Sequence, residues 1–187
     1  MSGNVTARAF KMDGPLLLTV RRFADHRGYL MESFSERDFR TVGVEENFVQ
    51  DNHSFSAETG TLRGMHFQLP PRAQAKLVRV LRGAILDIVL DIRRGSPSFG
   101  QHLSLPLAAG SDEQLYIPVG FAHGFVTLEP ETEVAYKVTD YYAPEQDRGI
   151  AWDDPDLALP WPDLLGGPIL SDKDRCHPRL RDLPAAF

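Results

Sequence analysis

The sequence predicts an all-β protein, a β-sandwich or barrel with helix confined to short peripheral pieces. Two observations lead there. Most apolar segments alternate with polar residues at a period of two rather than 3.6. Glycine and proline, 15 and 14 in number, recur along the whole chain and cut it into short runs separated by turns. With 187 residues the chain is expected to form one domain, residues 1–187, with a substantial core.

The first local signal is a short helix near Ser35 to Arg40. Ser35 can cap it, and Asp38 follows three residues later in a capping-box arrangement. Strand candidates follow at Phe48 to Asn52 and Thr61 to Gln68. The clearest pattern runs from Lys76 to Ile92. Lys76, Val78 and Val80 share one face, Arg82-Gly83 reads as a tight turn, and Leu86, Ile88, Leu90 and Ile92 then share a face. Asp87 and Asp91 fall on the opposite face, the pattern of a half-buried antiparallel strand. Leu103 to Pro106, Leu115 to Ile117, Phe121 to Leu128 and Glu133 to Thr139 complete the series. Turns are expected at Arg94-Gly95-Ser96-Pro97, Ala109-Gly110-Ser111 and Pro118-Val119-Gly120. From Pro155 onward the chain is rich in Pro, Asp and Leu, and it is expected to wrap the domain.

A net charge of -6 argues against a general nucleic-acid binder, whose footprint is basic. A local basic pocket for phosphate remains compatible with it. The single cysteine, Cys176, allows no intrachain disulfide and has no second thiol nearby for a zinc site, so it reads as a bystander. The N-terminus shows no apolar signal-peptide core, and Leu16 to Leu18 is far too short to span a membrane. The cytoplasm is the expected compartment, with no membrane partner.

Charged and titratable side chains in apolar strands mark the candidate site, because burying them unanswered is costly. In Leu62 to Gln68, alternation puts Leu62, Gly64, His66 and Gln68 on one face. His66 reads either as a satisfied core histidine or as a site group. His66 with Gln68 is similar to the His-x-His pair of metal-binding cupins, but glutamine replaces imidazole poorly. Tyr136 lies on the inward face with Val134 and Val138, and Lys137 points to solvent. A buried tyrosine is either an amphipathic core residue or, facing a cavity, a general acid. His123, between Phe121 and Phe125, reads as structural or as a phosphate or sugar contact. Ser171 to Asp174 reads as a solvated turn unless Asp174 meets a partner in a pocket.

An ordered series of segments resembles the dTDP-4-dehydrorhamnose 3,5-epimerase (RmlC) family. It comprises Asp25 to Tyr29, Phe48 to Ser54, Leu62 to Gln68, Gln74 to Val80, Gly95 to Gly100, Ile117 to Phe125, Tyr136-Lys137, Tyr141-Tyr142 and Ser171 to Asp174, spanning about residues 16 to 180. The resemblance implies a cupin-type jelly-roll β-barrel, usually a homodimer, with no metal or other cofactor. It implies inversion of carbons 3 and 5 of dTDP-4-dehydro-6-deoxy-D-glucose, a step toward dTDP-L-rhamnose for surface polysaccharide.

By the same resemblance His66 is the base and Asp174 orients it, Lys76 faces the enolate oxygen, and Tyr136 returns a proton from the other face. Arg63 and Lys173 become candidates for the diphosphate, and Gln50, Asn52 and His123 for the sugar–phosphate pocket. Arg27 and Glu32 resemble residues lent to the neighbouring subunit's nucleotide site. Asp147 stands where relatives often carry glutamate, and Met65 and Phe67 replace the commoner leucine and tyrosine. Alternative readings are a 3- or 5-monoepimerase on another 4-keto deoxysugar nucleotide, a metal-dependent cupin, and a sugar-nucleotide binding module without activity.

Overall fold

The structure, a computed structural model, describes residues 3–187. Two antiparallel sheets dominate it. The six-stranded sheet contains β1 (Val5–Ala9), β2 (Leu16–Val20), β5 (Gln50–Ser56), β7 (Lys76–Arg82), β10 (Glu113–Ile117) and β12 (Thr132–Val138), in the order β1-β2-β10-β7-β12-β5. The five-stranded sheet contains β6 (Leu62–Gln68), β8 (Ala84–Asp91), β9 (His102–Ala108), β11 (Phe121–Thr127) and β13 (Asp147–Gly149), in the order β13-β6-β11-β8-β9. A separate ribbon pairs β3 (Arg22–Asp25) with β4 (Gly28–Met31). This is the jelly roll expected from the family resemblance. Among the described residues its helix is limited to α1 (Glu36–Arg40) and a 3-10 turn at Leu180–Asp182.

Alternation explains the core between the sheets. Leu17, Val78, Leu115, Ile117 and Val134 of one sheet pack on Ile85, Val89, Leu107, Phe121 and Phe125 of the other. Pro106 interrupts β9 without harm, because that strand is a sheet edge where a missing N–H breaks no ladder. The Ser35 cap forms as expected: its hydroxyl accepts from the Asp38 N–H at 3.4 Å. The helix turns Phe39 onto Leu18, Val20 and Leu77, on the outer face of the six-stranded sheet.

Three points extend or correct the expectations. First, the Arg82-Gly83 turn forms, but β7 and β8 do not pair across it. β7 bonds to β10 and β12, and β8 to β9 and β11, so the turn carries the chain from one sheet to the other. Second, Asp87 and Asp91 are not on a solvent face; both are 0 % exposed. The apolar face of β8 is roofed by the C-terminal segment, with Leu157, Leu159, Trp161 and Leu183 packed near Ile88 and Leu90. The other face looks into the barrel, so neither face meets water. Third, the strand expected at Phe48 to Asn52 begins at Gln50 and runs on to Ser56.

Candidate active site

Alternation fails usefully in β6. Opposite it, the pairing with β11 slips between His123 and Phe125: His123 faces His66, but Phe125 faces Arg63. Parity would put Arg63 and His66 on opposite faces. The slip lets both line the same cavity, while Met65 and Phe67 pack on the outer side. Gly64 permits it. A Cβ there would lie 2.4 Å from the Gly124 Cα, so the two backbones touch where a side chain cannot fit.

The C-terminal segment then folds back beside β6. Leu62 N–H donates to the Ile169 carbonyl and Ile169 N–H to the Gly60 carbonyl, each at 2.9 Å. Asp174 N–H donates to the Ser171 hydroxyl at 3.1 Å. These bonds deliver Asp174 to His66, with Oδ1 2.5 Å from Nε2. The Asp174 side chain is 5 % exposed and that of His66 30 %. With Asp174 ionised, Nε2 carries the proton and Nδ1 keeps the lone pair. Burial alone would raise the Asp174 pKa, but the imidazoles of His177 and His66 and the Ser171 hydroxyl hold it well below the usual carboxylate range. Burial keeps the His66 pKa below its ordinary value, Lys76 and Lys173 push the same way, and Asp174 opposes them. At neutral pH the ring is therefore an unprotonated base.

The opposite sheet supplies Lys76 and Tyr136. Lys76 Nζ donates to the His66 carbonyl at 3.3 Å, reaching across the barrel. Burial pushes its ammonium down to about 8, Lys173 adds to this, and Asp147 and Asp87 work against it. Tyr136 has its pKa raised by burial, with Asp147 adding and Arg63 opposing, so it stays a phenol at neutral pH.

The cavity has two lobes. Arg63, His123 and Asp174 help to line one of ≈ 220 Å³, and Gln50, Asn52 and Asp147 help to line one of ≈ 150 Å³. His66, Lys76, Tyr136 and Lys173 line both. Asp147 accepts from Lys173 and, at 3.1 Å, from the Tyr142 hydroxyl. Gln50 donates to Asn52 at 2.9 Å. Gln68 spends its amide on backbone: it donates to the Arg72 and Tyr141 carbonyls and accepts from Ala143 N–H. It is a latch rather than a metal ligand.

Arg27 and Glu32 line neither lobe. Arg27 pairs with Asp25 on the β3–β4 ribbon, and Glu32 accepts from Asn4 at 2.8 Å. Sequence reasoning missed Asp87, whose Oδ2 lies 2.9 Å from His123 Nε2, and His177, whose Nε2 lies 3.5 Å from Asp174 Oδ1. A carboxylate within an apolar strand was the available signal for Asp87; His177 gave none. His66, Asp174 and His177 also group as potential metal donors, with ligand atoms all within 4.8 Å of one another. A larger cleft of ≈ 680 Å³ around Lys11, Arg93 and Ser96 shares no residue with the two lobes. Its Arg93 is already paired with Asp91: burial would raise the Asp91 pKa, but Arg93, Ser96 and Ser98 hold it at about 2.

A jelly roll whose hollow interior sets an imidazole–carboxylate pair against a buried ammonium and a phenol defines a cupin-type acid–base enzyme. Residues 9–182 match the family model for dTDP-4-dehydrorhamnose 3,5-epimerase. The protein of that name from Sinorhizobium fredii is 48% identical over 171 residues, 91% of this chain and 87% of that one. The crystal structure of dTDP-4-dehydrorhamnose 3,5-epimerase from Bacillus anthracis, with TDP and PPi bound, matches with a TM-score of 0.90 at 47% identity, covering 94% of this chain and 99% of that chain. The Legionella pneumophila RmlC structure, in complex with dTDP-4-keto-L-rhamnose, matches with a TM-score of 0.91 at 40% identity, covering 97% and 95%. The chain belongs to the dTDP-4-dehydrorhamnose 3,5-epimerase family.

Proposed function

We propose that the protein inverts carbons 3 and 5 of dTDP-4-dehydro-6-deoxy-D-glucose, giving dTDP-4-dehydro-L-rhamnose for rhamnose biosynthesis. The observation that carries this reading is the half-buried His66–Asp174 pair at 2.5 Å, facing Lys76 and Tyr136 across one cavity. Both reacting C–H bonds adjoin the C4 ketone. His66 Nδ1 takes the proton, the ketone oxygen becomes an enolate oxygen, and the imidazolium is stabilised by Asp174. Lys76, still mainly protonated at neutral pH, supplies positive charge to that oxygen where water is scarce. Tyr136 delivers a proton to the opposite face of the ring, above all at carbon 5.

Arg63 and Lys173 hold the diphosphate, and Gln50, Asn52 and His123 line the sugar–phosphate path. Asp147 steers Lys173 through their ion pair and feels Tyr142. The working unit is a homodimer in the cytoplasm, in which Arg27 and Glu32 reach the partner's nucleotide site. Their position on an exposed ribbon, outside their own cavity, supports that role.

Incubation with the 4-keto substrate in heavy water tests the reading. Deuterium at carbons 3 and 5 is expected. Label at one carbon alone would make the protein a monoepimerase. No label from a folded, dTDP-binding sample would remove the enzymatic reading.

A further inference from the structure

His177 stands outside the chemistry above, and its setting is unusual. Its side chain is 10 % exposed, yet Nε2 makes no well-formed hydrogen bond among the described residues, and its ion-pair contact is the long one to Asp174 Oδ1 at 3.5 Å. Buried polar atoms normally find partners, and an unpaired one asks for an explanation such as an ion. The ring is held in place: a Cβ on Gly149 would fall 2.3 Å from Nε2, so the imidazole lies flush against β13. Gly149 pairs directly with His66, and the two imidazoles meet edge to face at 5.5 Å.

We propose that His66, Asp174 and His177 form a binding site for a borderline-soft divalent cation such as Zn²⁺, and that its occupancy switches the base off. The donor set, two imidazoles and a carboxylate with a fourth position left for solvent, is one that zinc accepts. Tetrahedral zinc with bonds near 2.0–2.1 Å separates its ligand atoms by about 3.3 Å. His177 Nε2 already sits 3.5 Å from Asp174 Oδ1. His66 Nε2, now 2.5 Å from the same oxygen, needs to retreat by less than about 1 Å. Entry is from the ≈ 220 Å³ lobe, which both His66 and Asp174 line. Nitrogen donors favour Zn²⁺, Cu²⁺ and Ni²⁺ over Mg²⁺ and Ca²⁺, which prefer oxygen.

The consequence follows from the tautomer. In the free site the His66 proton is on Nε2 and the lone pair on Nδ1. Coordination through Nε2 requires the lone pair there, so the proton moves to Nδ1. No proton is gained or lost by the ring, but the atom that would receive the substrate's proton now bears one. The metal is thus an inhibitor of the reaction. The switching half of the proposal rests on His66 being the base; the binding half does not.

Two readouts on the purified full chain test the halves separately. Zn²⁺ affinity is measured by competition with a chromophoric chelator, and Co²⁺ serves as an absorption probe of ligand number. Heavy-water exchange is followed with Zn²⁺, with Mg²⁺, and after a chelator. One Zn²⁺ per chain is expected, with affinity falling about 100-fold or more in His177→Gln and in His177→Ala. Stoichiometric Zn²⁺ should halt exchange, the chelator should restore it, and millimolar Mg²⁺ should leave it running. Zinc affinity unchanged in both folded His177 variants would overturn the site. His177-dependent binding that leaves exchange intact would overturn the switch and place the error in the assignment of His66. Metal-free protein that exchanges nothing would instead indict the proposed reaction.

Discussion

Asp174→Asn removes one negative charge and almost no volume, so it isolates what the carboxylate does for His66. During proton abstraction the imidazole becomes positive beside Asp174. The two charge centres then lie about 4 Å apart, worth about 4 kcal/mol at an effective dielectric near 20. Asp174 is 5 % exposed, so water recovers little of that loss. A barrier raised by about 4 kcal/mol slows exchange about a thousandfold. Asparagine also can donate to Nε2, which would move the ring proton to Nδ1 and disarm the base. The variant therefore should lose exchange at carbon 3 and carbon 5 alike, with dTDP affinity nearly unchanged and the melting temperature lowered, because the folded chain favours the ionised carboxylate it loses. The acid limb of its pH profile should move lower, because Asp174 is the group that raises the His66 pKa. A folded variant that keeps more than about a tenth of wild-type exchange would refute the reasoning, since one unit of charge at this distance cannot be worth so little.

In Tyr136→Phe, inversion at carbon 5 should fall more than exchange at carbon 3, read by positional deuterium analysis; equal losses would contradict a face-specific acid. Wild-type exchange should follow a bell in pH, with the acid limb below 6.5 from His66 and the alkaline limb near 8 from Lys76. Lys76 titrates near 8 when folded and near 10.5 when unfolded, so between these values the unfolded chain holds more protons and stability rises with pH. Lys76→Met should accordingly stabilise the protein below pH 8, by an amount on the order of 3 kcal/mol that fades toward pH 10.5 in urea titrations, while exchange drops sharply. Gly64→Ala forces a Cβ to 2.4 Å from the Gly124 Cα at a φ of +146, and should cost about 2–4 kcal/mol of stability in the same assay.

The strands that carry the site were legible because each has one face against apolar neighbours. Val134, Tyr136 and Val138 alternate inward, and Lys76, Val78 and Val80 do the same, as their side chains prove in place. The Ser35 cap was legible because it is a local contact. What escaped depends on distant chain. Asp87 and Asp91 read as solvent-facing because nothing local says that residues 157–187 will roof the other side of β8. Arg63 and His66 share a cavity through a pairing slip against β11, a strand distant in the chain, and period-two alternation alone does not contain it. His177 came into view only once the chain folded back along Gly60 and Leu62.

The division of the site between two sheets bears on its stereochemistry. Inverting a carbon needs proton removal from one face and delivery to the other, so base and acid must stand on opposite sides of the sugar ring. Side chains on one strand face, or on neighbouring strands of one sheet, point the same way. They could flank only one face of a ring lying on that sheet. Here His66 rises from β6 in the five-stranded sheet and Tyr136 from β12 in the six-stranded sheet, and both line the space between. A ring seated there has one wall on each face. Lys76 comes from the Tyr136 wall yet reaches the His66 carbonyl, so its charge sits at the ring's edge, where a ketone oxygen shared by both reacting carbons would lie. Two inversions around one carbonyl then need no second site, only a turn of the ring between the same two walls.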